Sequence, residues 1–192
     1  GRLVLLEHLD VRYNQLASEM LPPQLARLEN LHTFLAANNV LTAIPPEICQ
    51  LPLTNLDVAN NVITSLPGEI GEVVTLRSLK LSGNKLLALP GAIGTLTDLE
   101  KLEVKSNELS TLPPEIGELV MMKKLNISHN MVTQLPVEVG HLTNISLLDL
   151  DYNPLIFPPR KKIAEGTPAI LEFLQRMEKE KLASEGKIAK NV

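Results

Sequence analysis

One frame, repeated seven times, constrains this chain more than any other feature. Its clearest instance runs LRSLKLSGNKL from Leu76 to Leu86, which reduces to LxxLxLxxNxL. The frame starts again at Leu6, Leu31, Leu53, Leu99, Met122 and Ile145. Its ninth position is held by Asn14, Asn39, Asn61, Asn84, Asn107, Asn130 and Asn153, at gaps of 25, 22, 23, 23, 23 and 23 residues. A fixed period of this length implies a solenoid, in which each unit packs mainly on its neighbours.

The chemistry of each position follows from that geometry. Positions 3 to 7 alternate outward and inward side chains, as a short parallel strand requires. Positions 1, 4, 6 and 11 are apolar and face inward. After the strand the chain turns sharply, and the Asn side chain satisfies backbone groups that the turn leaves unpaired. Leu66, Leu89, Leu112 and Leu135 take position 14, each followed by Pro, which suits a return segment that needs no sheet pairing. Ile70, Ile93, Ile116 and Val139 follow at position 18, and Gly71, Gly94, Gly117 and Gly140 at position 19. This second half predicts a turn of helix, α or 3₁₀, on the convex side.

Irregular places stand out against the period. Residues 1–5 match the tail of a preceding repeat, so the chain is expected either to continue a longer protein or to have its first edge covered, by a partner or by self-association. Two extra residues at Ala17–Met20 predict a bulge, and the second repeat is one residue short around Pro52. Seven repeats occupy 1–159. An apolar stripe of Ile170, Leu171, Leu174 and Met177 predicts a capping helix within a cap at 160–183, and 184–192 reads as a flexible tail.

Motifs for chemistry are missing from the sequence. His8, His32, His129 and His141 fall in four repeats without metal-ligand spacing, and no phosphate-binding glycine motif occurs. The chain therefore reads as non-enzymatic, with no cofactor and no metal. The lone Cys49 takes a position its neighbours fill with Gly, which implies a packed thiol. A single cysteine and no paired cysteine caps point to an intracellular, cytoplasmic setting. No apolar run approaches the ~20 residues needed to span a bilayer. Two glycosylation sequons, at Asn126 and Asn144, read as chance matches in such a setting. The net charge of −4 gives no footing for nucleic acid.

Function is therefore expected on a surface, and the outward strand residues define it. Parallel strands lie ~4.8 Å apart, so equivalent positions become lateral neighbours. Residues 1–159 hold 10 basic and 17 acidic residues, and seven of the basic ones fall between Arg77 and Lys124. Arg77, Lys80, Lys101, Lys105 and Lys124 form a basic stripe on the concave face, with Glu103, Asn126 and His129 among them. Asp149, Asp151 and Tyr152 form an acidic, aromatic-tipped end. The stripe has two readings. Glu100 and Glu103 compensate it within a solvated face, or it meets an acidic patch on a partner.

The unit LPPEIGEL from Leu112 to Leu119, and the ending Asn153–Pro159 followed by Gly166, Thr167 and Ile170, resemble the Ras-group leucine-rich repeat proteins. The resemblance implies an α/β solenoid, a right-handed superhelical horseshoe with a parallel concave sheet, short helical or 3₁₀ convex turns and a C-terminal capping helix. It further implies a non-catalytic scaffold for a signalling protein, of the Ras-like GTPase, phosphatase or kinase class. The same unit also occurs in regulatory segments of larger kinases or GTPases of the Roco type and in microbial host-interaction effectors, and both stand as alternatives.

Overall fold

The computed structural model describes residues 5–188, with side chains to 184. Seven three-residue strands form one parallel sheet in chain order: β1 His8–Asp10, β2 Thr33–Leu35, β3 Asn55–Asp57, β4 Ser78–Lys80, β5 Lys101–Glu103, β6 Lys124–Asn126 and β7 Leu147–Asp149. The register is constant. Position 3 of each repeat pairs with position 3 of the next, from His8↔Thr33 to Lys124↔Leu147. The columns expected from the sequence are therefore the columns of the sheet.

The convex returns are 3₁₀ turns, at Pro23–Arg27, Pro46–Gln50, Gly68–Glu72, Gly91–Thr95, Pro114–Glu118 and Val137–His141. A proline precedes each one in an extended conformation. Proline lacks a donor but keeps its carbonyl, and that carbonyl starts the turn: Ile93 N donates to Pro90 O at 3.0 Å, and Ile116 N to Pro113 O at 3.0 Å. The glycines at position 19 let successive turns stack. A Cβ on Gly117 would lie 2.6 Å from Glu138 O, and one on Gly94 would lie 2.7 Å from Glu115 O.

Between the sheet and the turns runs a narrow aliphatic core. Leu56, Leu79, Leu102 and Leu125, all at position 4, are fully buried, as are Leu76, Leu99 and Met122 at position 1. Cys49 packs at its edge with 2% exposure. Burial, then the carboxylates of Glu69, Glu72 and Glu47, push its thiol up to about 12, so it stays protonated at neutral pH.

Two local expectations take a more definite form. The extra residues of the first repeat make a 3₁₀ turn, Ser18–Met20, rather than an irregular bulge. Ser18 Oγ ties it to the second repeat, donating to Ala43 O at 2.8 Å and accepting from Thr42 N and Ala43 N, both at 2.9 Å. In the short second repeat Leu51 leaves its turn extended, and Leu53 N reaches back to Leu51 O at 2.8 Å. Regular repeats spend one residue more on this descent, as in Leu76 N to Val73 O.

The cap has two helices, α1 Arg160–Ala164 and α2 Thr167–Ile188. α2 buries Ile170 and Leu174 against the last repeat. It continues past 183, so helix extends over 184–188 of the stretch read as a flexible tail, and 189–192 lie outside the described residues. The tail of a preceding repeat read at 1–5 also lies outside them, apart from Leu5, which is 82% exposed.

Candidate protein-binding face

The asparagines at position 9 build the scaffold of the face. Asn84 Oδ1 accepts from Ile63 N at 3.0 Å, while its Nδ2 donates to Val58 O and Leu81 O at 3.0 and 2.9 Å. Asn39, Asn61, Asn107, Asn130 and Asn153 make the same three connections: one bond to their own turn and two to the repeat before. Among the described residues Asn14 bonds only its own turn, to Val11 O and Arg12 O.

That ladder fixes an unusual torsion just ahead of it. Position 8 has positive φ in every repeat, at Tyr13, Asn38, Asn60, Gly83, Ser106, His129 and Tyr152, with values of 53° to 69°. Only one of the seven is glycine. A left-handed residue costs a non-glycine side chain roughly 1–2 kcal/mol, least for asparagine. These residues form a ridge along the groove. Two of its members stack, His129 on Tyr152, with centroids 4.1 Å apart and planes 17° apart.

Position 5 also has a backbone role that the sequence reading missed. Asp10, Asp57, Asn126 and Asp149 each accept the position 7 N–H of their own repeat, at 3.0 to 3.2 Å, and so cap the strand end. The sequon residues are likewise used by the fold. Asn126 Oδ1 accepts from Ser128 Oγ at 2.7 Å, and Asn144 Nδ2 donates to Val120 O at 2.8 Å.

The basic stripe is partly compensated within the sheet. Glu103 lies between two lysines, 3.2 Å from Lys101 Nζ and 2.7 Å from Lys124 Nζ. Burial alone would raise the Glu103 pKa, but the bonds from Lys124 and Lys101 outweigh it and hold the carboxyl below its ordinary value. Lys80 pairs with Asp57 at 3.3 Å, and Lys123 with Glu100 at 2.7 Å. The bond from Lys123 also lowers the Glu100 pKa. Among the described residues, Arg77 and Lys105 are exposed and carry no ion pair, and neither do Asp149 and Asp151. On the repeats, unpaired positive charge thus lies in the middle, and the last repeat carries the unpaired Asp149 and Asp151, with Arg160 of α1 near Asp151. Beside these aspartates, Leu147 adds an apolar side chain at 46% exposure.

Among the described residues no group of three or more His, Cys, Asp or Glu is placed to hold a metal ion. No helix there is long and apolar enough to cross a membrane.

Comparison with protein families agrees with the repeat. Two models, both described as leucine-rich repeat, match residues 97–155 and residues 5–28 with 75–96, together more than half of the chain. The chain belongs to the leucine-rich repeat proteins. Comparison with curated protein sequences returns no match. Solved structures of other leucine-rich repeat proteins share the fold. A leucine-rich repeat protein of Leptospira interrogans is 30% identical with a TM-score of 0.59, over 87% of this chain and 54% of that one. The ectodomain of the plant membrane receptor kinase GASSHO1/SCHENGEN3 from Arabidopsis thaliana, solved in complex with CASPARIAN STRIP INTEGRITY FACTOR 2, is 32% identical with a TM-score of 0.71. That match covers 78% of this chain and 19% of the ectodomain. An internalin of Listeria monocytogenes is 28% identical with a TM-score of 0.67, over 78% and 43%. This chain spans less than two thirds of each of these three solved proteins.

Proposed function

We propose that this leucine-rich repeat chain is a non-catalytic scaffold that binds another protein along its concave face. The observation that carries the reading is the separation of unpaired charge on that face. Arg77 and Lys105 lie near its middle, and Asp149 and Asp151 lie at one end. Charges of opposite sign held apart on one groove orient a partner and speed its capture. The Lys101–Glu103–Lys124 network, with a net charge of one positive, ties neighbouring strands β5 and β6 together on that face.

The Ras-group resemblance of the repeats supports a signalling protein as partner, of the Ras-like GTPase, phosphatase or kinase class. It also supports an intracellular setting, as does the lone buried Cys49. The greater length of the solved relatives favours a second reading, in which this segment regulates a larger protein. Self-association through the first repeat's outer edge belongs to the same proposal and is read by light scattering.

The test uses residues whose reversal leaves the ion pairs intact. The double variant Arg77→Glu/Lys105→Glu should keep the wild-type folding midpoint. It should slow association, roughly tenfold at low salt, with a partner captured by the wild type and then purified. Unchanged binding in that variant, with binding lost on reversing Glu69 and Glu115 of the convex turns, would place the interface elsewhere.

A further inference from the structure

The concave groove continues past the last strand. Between the chain leaving β7 and helix α1 lies an open cleft of about 280 Å³. Leu150 and Leu155, each 6% exposed, give it an apolar base, and α1 contributes Ile163 and Ala164. Tyr152 lines it beside the groove. Its volume is at the lower end of the ~300–1,000 Å³ of small-molecule sites and leaves room for one large side chain.

Tyr152 gives the cleft its chemical preference. The residue is 76% exposed, yet it holds a φ of 55° that disfavours a bulky side chain. Asn38, Asn60 and Gly83 meet the same torsion at less cost in their repeats. All seven repeats share this torsion, so what sets Tyr152 apart is its place on the cleft. Its ring is fixed by the stack on His129, so it meets an incoming aromatic group with little loss of freedom. Asp151 and Arg160 also line the cleft, and neither has an ion partner among the described residues. A peptide unit complements both, since its N–H suits the carboxylate and its carbonyl suits the guanidinium.

We infer that this cleft anchors one aromatic side chain of the polypeptide that lies in the concave groove, with Asp151 and Arg160 holding that residue's backbone. The inference rests on the groove reading given above and names the feature of the partner that it selects.

Methyl-labelled protein titrated with N-acetyl-phenylalaninamide, and separately with N-acetyl-alaninamide, tests it by NMR. The phenylalanine probe should shift the methyl signals of Leu150, Leu155 and Ile163 saturably, and should bind about tenfold more tightly than the alanine probe. Tyr152→Asn accepts the left-handed torsion. It should keep the melting temperature while weakening the probe about fivefold. Ala164→Trp, which fills the cleft from its exposed rim, should abolish the shifts. Equal responses to the two probes, no saturable shift, or a Tyr152→Asn variant that binds like wild type would overturn the assignment. The probe is read without the partner, so failure of the cleft is separable from failure of the groove, which Arg77→Glu/Lys105→Glu reports.

Discussion

At the C-terminal end of the solenoid, Gly140 packs against Leu174 and Gln175 of α2, and Gln175 Nε2 donates to Gly140 O at 2.7 Å. His141 Nε2 lies 2.8 Å from Glu178 Oε2 across the same joint. At the N-terminal end, Leu6, Leu9, Val11 and Leu16 occupy core positions but are only partly buried, and Asn14 Oδ1 has no donor among the described residues. The sequence frame is the same at both ends. What differs, among the described residues, is how fully each repeat is covered by what packs on it, which is the nearest-neighbour logic of a repeat array.

Three measurements break or sharpen this comparison. The largest effect is expected in the aliphatic layer. Leu102→Ala in the fully buried centre should cost about 2–5 kcal/mol in urea unfolding, and Leu9→Ala, at the same position of the first repeat, less than half as much. Equal costs would mean that the first repeat is covered in solution. Next comes the ladder. Asn84→Ala strands one buried N–H and two carbonyls and should cost about 1–3 kcal/mol, while Asn14→Ala should stay under about 1 kcal/mol. Hydrogen exchange at Ile63 N, which Asn84 receives, reads this locally.

The smallest effect is electrostatic. Arg12 bonds lower the pKa of the exposed Asp10 carboxyl, and Lys124 and Lys101 together lower that of Glu103 against the opposing effect of burial. A lowered folded-state pKa adds stability above the unfolded value, and that stability is lost as pH falls through the folded one. For Glu103 this loss begins as pH falls below the ordinary glutamate value of 4.5. In NMR titrations, about 0.5 M salt should return Asp10 towards 3.8 while Glu103 stays depressed, because a partly buried network is screened less. Glu103→Gln should remove the corresponding acid-dependent loss. If both carboxyls relax alike, the interior network is no better shielded than the edge pair.

Most of the architecture was legible because it is periodic. Positions 1, 4, 6, 9 and 11 follow from strand alternation and one turn, and the lateral pairing of Lys101 with Lys124 follows from a constant register. The site was less legible, because its charges are set diagonally. Glu103 is at position 5 and its lysines are at position 3 of two different repeats, so only side-chain reach shows that one carboxylate serves both. The backbone roles of Asp57 and Asp149 stayed hidden for a related reason, since an aspartate that faces outward still bends back to its own chain. The cleft at Tyr152 belongs to no repeat. It forms where the last strand exit meets a helix outside the period.

The left-handed ridge has a consequence for how such a chain acquires new partners. Tyrosine, asparagine, glycine, serine and histidine all occupy one torsion there without altering the strand before it or the ladder after it. Each of these places is a display socket, and a single codon change swaps what is shown while the frame beneath stays put. Specificity can drift along this line one residue at a time, at a cost in folding that is least for glycine and asparagine and is already met in some form by every repeat.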